Sequence, residues 1–130
     1  MRLMSTILGA MIAMSTTVKL QGKLDVSVKT ILLRSQMALS HFTGPGEVLL
    51  APQMLGDICS IQLSGEEEWS VAKDAYLACT QGVVRDFRRQ GIDQAFFSGD
   101  GLFVFKVSGT GVMWITSFGA IVRKDVLLDL

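Results

Sequence analysis

Residues 97–111 read FSGDGLFVFKVSGTG, and the meaning of the two Gly-x-Gly triplets in this stretch decides the fold. A dinucleotide loop needs Gly-x-Gly-x-x-Gly between a strand and a helix, so that the helix N-terminus meets the pyrophosphate. Here Gly99-Asp100-Gly101 leads into Leu102-Phe103-Val104, a run of strand character, and the third glycine is missing. Asp100 would set a carboxylate against the phosphate, and no Gly-Lys-Ser/Thr occurs. The glycines are therefore read as turning the chain.

A second stretch supports that reading. Phe42-Thr43-Gly44-Pro45-Gly46 matches Phe97-Ser98-Gly99-Asp100-Gly101 at an offset of 55, and Gly56 matches Gly111 at the same offset. Each match encloses strand formers, Val48-Leu49-Leu50-Ala51 and Leu102-Phe103-Val104-Phe105. Gly44, Gly46, Gly56, Gly99, Gly101, Gly109 and Gly111 are the expected structural turns. A further element recurs: residues 9–15 (GAMIAMS) resemble residues 74–80 (DAYLACT), with a shorter echo at Gly119-Ala120-Ile121-Val122.

Around these landmarks the local pattern is β. Short runs of Val, Ile, Phe and Trp are separated by Gly, Pro, Asp and Ser. Residues 56–63 (GDICSIQL) read as a strand, Ser64 to Glu68 as a hairpin loop, and Trp69-Ser70-Val71 as returning extended chain. Leu102 to Val107 is apolar on both faces apart from Lys106, so that strand is sandwiched or lies at an interface. Val28 to Arg34 could form one or two helical turns, because short apolar runs do not separate helix from strand. Short β units that cannot bury a face alone stack on one another. The expected fold is all-β, a β-sandwich or prism of pseudo-symmetric repeats with at most one short helix, in a single domain over residues 1–130.

Composition narrows the partners. Twelve basic and twelve acidic residues leave no net charge, so no whole-molecule field draws in nucleic acid or anionic lipid. Hydrophobic residues make up 49% even without the 13 glycines, and charged residues only 18%. Average chains hold about 45–50% apolar residues with glycine included, and about 25% charged ones. So much apolar surface implies self-association or strands that lie elsewhere. Cys59 and Cys79 lack metal-ligand spacing and are read as buried thiols. The opening MRLMSTILGAMIAMSTT imitates a signal peptide, but Leu3 to Met14 is too short to span a bilayer, which takes about 20 residues. It is read instead as strand.

The candidate sites are few. His41 is the only histidine, with no ligand-spaced neighbour and no Gly-x-Ser-x-Gly elsewhere to suggest a nucleophile; it is read as structural. Glu66-Glu67-Glu68 reads as a solvated loop tip, since adjacent carboxylates on a hairpin cannot all face one calcium ion. The strongest basic patch is Arg85, Phe87, Arg88 and Arg89, where cations beside an aromatic could grip a phosphate backbone and stack a base. Asp86 and Asp93 dilute it, and the plainer reading is a solvated loop between Val84 and Ala95. No cofactor and no metal are expected.

Several motifs together resemble a known family. Residues 44–52 (GPGEVLLAP), 56–58 (GDI), 75–83 (AYLACTQGV), 97–103 (FSGDGLF), 108–111 (SGTG) and 114–120 (WITSFGA) are similar to the altered-inheritance-of-mitochondria 24 family, with a fungal flavour. The resemblance runs from about Gly9 to Asp125. It implies a fold like that of the tryptophan RNA-binding attenuation protein, with three β repeats in pseudo-threefold arrangement and no established catalytic residues. It implies mitochondrial residence, with the cytoplasm as the alternative. Against that family the chain looks incomplete at both ends. The expected function is a non-enzymatic β scaffold in mitochondrial organisation, acting through protein partners such as inner-membrane proteins and through self-association. The alternative is an RNA-binding module, by analogy of fold.

Overall fold

The computed structural model of the chain describes residues 4–7, 9–25, 37–89 and 103–127. Extended runs dominate, as the glycine-punctuated apolar pattern predicts. The strands are β1 (Met4–Ile7), β2 (Met11–Met14), β3 (Lys19–Asp25), β4 (Met37–Thr43), β5 (Val48–Leu50), β6 (Ile58–Ser64), β7 (Trp69–Ala72), β8 (Tyr76–Thr80), β9 (Val83–Arg89) and β10 (Phe103–Thr116). The fold is all-β. A single 3₁₀ turn at Lys73–Ala75 is the helical content among the described residues. The helical turns expected at Val28 to Arg34 lie outside them. No helix among the described residues is long and apolar enough to cross a membrane.

Strands β3, β4, β1, β8, β10 and β6 lie side by side in that order, and every pairing is antiparallel. The opening of the chain, β1, is thus an interior strand between β4 and β8. Its neighbour β2 pairs with β5 in a separate two-stranded ribbon. That ribbon brings Ala10 and Leu50 onto one face of β8, against Leu77, Ala78, Ile7 and Trp114. The opposite face carries the larger core: Leu39, Leu63, Val71, Tyr76, Cys79, Val83, Phe105, Val107 and Met113.

The organising element is β10, 14 residues long. Its first half pairs with β7 and β9, and its second half with β6 and β8. The halves meet at Gly109-Thr110-Gly111, where the two glycines have φ of +93° and +147°. A β-carbon on Gly109 would stand 2.4 Å from the Gly82 carbonyl oxygen, and one on Gly111 would stand 2.3 Å from Thr80 Oγ1. The second Gly-x-Gly therefore bends a strand through a corner; it does not join two strands. Such bends carry one strand from one sheet into another.

The neighbours of β10 follow the corner. On one side β6 and β7 run on in the same direction, with Ser64 opposite Thr110 and Trp69 opposite Val107. Residues 65–68 therefore stand opposite residues 108–109 only, and bulge outward. The expected hairpin at Ser64 to Glu68 is corrected here: the chain does not reverse, because both flanking strands are antiparallel to the same β10. On the other side, β8 and β9 likewise form one interrupted partner, tied at the corner by Thr110 N–H to the Gly82 carbonyl at 3.0 Å.

The two stretches related by the offset of 55 take different paths over their described residues. Gly44 and Gly46 do lie in a turn between β4 and β5. After Leu50, however, the chain leaves its ladder, and Gly56 forms a lone parallel bridge with Gly119. Gly111, the counterpart of Gly56, is instead inside β10 facing Leu63. Gly99 and Gly101 lie outside the described residues. The third echo, residues 119–122, makes no ladder beyond that bridge. The similarity of residue types reflects shared local needs, small residues at close approaches, rather than superposable hairpins.

Candidate functional site

The polar chemistry of the core gathers at β8. A bulge interrupts its pairing with β10: Ala78 faces Trp114, but Tyr76 faces Ile115, which leaves Leu77 over. The extra residue breaks the strand's alternation. Tyr76 and Cys79 then belong to one core and Leu77 and Ala78 to the other, and all four are buried. The same kink brings the Tyr76 hydroxyl within 3.2 Å of Cys79 Sγ. That hydroxyl also donates to the Ser5 carbonyl at 3.0 Å.

Two neighbours extend the cluster. Across β1 and β4, Ser5 Oγ lies 3.0 Å from His41 Nδ1. Above the Tyr76 ring stands Arg85 of β9, its guanidinium carbon 5.2 Å from the ring centre. Arg85 Nη1 is buried and makes no hydrogen bond. A cation over an aromatic face gains about 0.5–2 kcal/mol, whereas a buried donor left unpaired costs about 1–3 kcal/mol. The π contact thus offsets part of the cost of drawing this charge towards the core. Phe105 completes the surroundings, its ring centroid 5.4 Å from that of Tyr76.

Burial pushes the Tyr76 hydroxyl well above the usual tyrosine range; the Cys79 thiol adds to that rise and the Arg85 charge opposes it. A hydroxyl with a raised folded-state pKa loses its proton first in the unfolded chain, whose tyrosine titrates near ~10. Its contribution to stability is complete below that pH and falls as pH rises above it. We expect the urea midpoint to hold level from pH 7 to about 9.5 and then drop, with part of the drop missing in Tyr76→Phe. Equal slopes in both proteins above pH 10 would show that Tyr76 is not the group responsible.

The sequence-derived residues meet this cluster only in part. Arg85 is in it, half-buried, while its neighbour Asp86 is exposed. The loop expected between Val84 and Ala95 is strand as far as Arg89, where positions 87, 88 and 89 pair with Phe105, Val104 and Phe103. His41 is in it through Ser5. Ser5 lies mid-sheet between His41 and Cys79 and is only 7% exposed, and the Ser–His contact ties β1 to β4. Glu67 is elsewhere: its carboxylate accepts from Ser64 Oγ and Trp69 Nε1, both at 3.2 Å, and braces the outward bulge. Among the described residues no three His, Cys, Asp or Glu side chains gather as a metal site. Cys79 is buried as expected, but Cys59 is only half-buried on β6, an outer strand of the sheet. Tyr76 itself was missed. Its signal was available: a lone tyrosine in an apolar run buries a hydroxyl that must find a partner.

Away from the core, the surface is unusually apolar. Ile12 and Leu49 of the ribbon are 61% and 58% exposed, Leu55 is 89% and Phe118 77%. Ile12 and Leu49 lie on the ribbon, and Leu55 and Phe118 lie beside the Gly56–Gly119 bridge, where Gly119 N–H donates to the Leu55 carbonyl at 3.0 Å.

Comparison with known proteins bears on both features. The model of the family described as Mitochondrial biogenesis AIM24 matches residues 4–128. An uncharacterised protein of Streptococcus pyogenes is 33% identical over 109 residues, which is 83% of this chain and 41% of that protein. A crystal structure of a Streptococcus pyogenes protein superposes with a TM-score of 0.72 at 25% identity, covering 92% of this chain and 56% of that one. The chain thus spans about half the length of these relatives, and both are bacterial where the sequence suggested a fungal type.

Proposed function

The chain belongs to the Mitochondrial biogenesis AIM24 family, and from that premise we propose that it is a non-enzymatic β scaffold that works through protein contacts. The observation that carries this reading is the set of exposed apolar side chains, Ile12 and Leu49 on the ribbon and Leu55 and Phe118 beside the Gly56–Gly119 bridge. Exposed apolar surface marks sites of protein or membrane contact where such side chains gather. The hydrogen bonds of the cluster around Tyr76 fit the same reading, because they join β1, β4 and β8. Mitochondrial organisation is the setting suggested by the family's description, with inner-membrane proteins as the partner class.

The test is affinity purification of the tagged chain from mitochondria, with and without nuclease, read by mass spectrometry. We expect partners that survive nuclease and are lost when Ile12→Lys and Leu49→Glu are combined. Both side chains face solvent, so the fold tolerates the change. Recovery that collapses on nuclease treatment, with a steep dependence on salt, would replace the scaffold by the RNA-binding module suggested by an attenuation-protein-like fold. Recovery indifferent to the two substitutions would move the contact off the ribbon.

A further inference from the structure

Strand β6 is an outer strand of the sheet, and among the described residues its one ladder partner is β10. The register fixes where its backbone groups point. Asp57 and Ser117 continue the pairing of Ile58 with Thr116, and Ser117 N–H donates to the Asp57 carbonyl at 3.3 Å. On the far side of β10, Thr110 N–H and Val112 N–H are turned to Gly82 and Thr80. Backbone groups of alternate residues in a strand point to opposite edges. Asp57, Cys59, Ile61 and Leu63 therefore face β10, and Ile58, Ser60, Gln62 and Ser64 aim their N–H and C=O groups at the free edge.

Native sheets blunt such edges with charge, proline or a covering element. The opposite outer strand does so, since β3 carries Lys19, Lys23 and Asp25. Strand β6 has neither charge nor proline between Ile58 and Ser64. Its side chains alternate: Ile58, Ser60, Gln62 and Ser64 are exposed, Cys59 and Ile61 half-buried, and Leu63 buried. Ile61 packs against the larger core, so that core reaches this edge and is only half-covered there.

We propose that β6 pairs antiparallel with β6 of a second copy of the chain, about a two-fold axis at Ile61. The sheet and the apolar face beneath it then continue from one copy into the next. The ends of the strand place the axis. Before Ile58 the chain is tied to residues 117–119, and after Ser64 it leaves in the outward bulge. Ile61 is the midpoint, so an axis there pairs the whole of Ile58–Ser64, whereas an axis at Ser60 or Gln62 pairs only 58–62 or 60–64. With the axis at Ile61, Ser60 faces Gln62 and Ile58 faces Ser64 as hydrogen-bonded pairs, as their outward groups require. Between them Ile61 faces Ile61 and Cys59 faces Leu63, in the closer kind of antiparallel pair, with Cα atoms about 4.5 Å apart. The strand is thus complementary to itself, as an isologous interface requires. The nearest charges, Asp57 and Glu66, are exposed acids beyond the two ends of the ladder, so salt that screens them should tighten the dimer.

Light scattering on the 130-residue chain at tens of micromolar, with Cys59 kept reduced, is expected to give a dimer. Ser60→Lys with Gln62→Lys sets lysines opposite each other in both symmetric pairs and should weaken it about tenfold. Ser60→Lys with Gln62→Glu sets lysine opposite glutamate in both and should keep the dimer; an axis at Ser60 or Gln62 would oppose like charges in this variant. Gln62→Pro removes an outward N–H and none that β10 uses, and outer strands accept proline at such positions. It should give a monomer whose strand content by circular dichroism is unchanged. Should that variant not fold, the two charged variants decide. A monomeric parent chain, equal affinities in the two charged variants, a folded Gln62→Pro that stays dimeric, or a dimer that salt dissociates overturns the proposal. This edge lies apart from Ile12 and Leu49, so partner loss in the ribbon variants would still support the scaffold, and its failure would leave this dimer standing.

Discussion

Gly109→Val is expected to lower the stability of the chain by about 3 kcal/mol, and to be among the most damaging single changes available to it. Two costs combine. At φ of +93° a β-branched side chain is strained whatever room it has. Room is also missing, because the new Cβ would stand 2.4 Å from the Gly82 carbonyl oxygen. That oxygen cannot retreat without breaking the bond it accepts from Thr110 N–H. The corner of β10 is the only route by which its two halves reach four different partners, so its loss detaches β7 and β9 from β6 and β8. Gly22→Ala is the control: Gly22, on β3, pairs with Ser40 of β4, and a Cβ there meets nothing within 4 Å. We expect its urea midpoint to lie within the range of about 0.5 kcal/mol typical of surface changes. Equal midpoints for the two variants would mean that the corner relaxes freely and that β10 does not organise the sheet.

Tyr76→Ala should cost about 3–5 kcal/mol, the range for removing a fully buried aromatic. The ring is 0% exposed, packs on Phe105 at 5.4 Å between centroids, and receives the Arg85 guanidinium on its face. Without it, a half-buried cation loses its aromatic partner, and a cavity opens between β8 and β9. Tyr76→Phe isolates the hydroxyl. It keeps the ring and leaves the Ser5 carbonyl without its donor, for which about 1–2 kcal/mol is expected. Denaturant unfolding of both variants gives the difference directly. If the phenylalanine variant falls as far as the alanine one, the hydroxyl rather than the packing carries the site.

The same residues show what could be read without a structure. The all-β class followed from apolar runs of strand length between glycines and turn formers. The strand after Gly101 was legible too, and its described part begins at Phe103. The two-sided burial of Leu102 to Val107 was legible for its described part: Val104, Phe105 and Val107 are 7%, 3% and 0% exposed. The apolar surplus announced the exposed Ile12, Leu49 and Phe118. Family membership was legible too, because motifs spread over most of the chain carry it jointly.

What the sequence by itself determined, then, is which segments are extended and where the chain must admit a glycine. Strand propensity and positive φ are local, and the residues that demand them sit in one short window. Only the tertiary structure decided what each glycine serves. Gly44 and Gly46 lie in a turn, Gly109 and Gly111 bend one continuous strand, and Gly56 closes a lone bridge to Gly119. That difference depends on which backbone passes nearby, and here the deciding neighbours are Thr80, at the end of β8, and Gly82, in the turn between β8 and β9. The path of residues 64–69 was hidden for the same reason: a turn-like composition suits a hairpin and an outward bulge equally, and the choice rests on the partner, β10. The cluster at Tyr76 needed most from the fold. Ser5, His41, Cys79 and Arg85 are scattered over eighty positions, and the bulge at Leu77 brings Tyr76 and Cys79 to one face against the strand's own alternation.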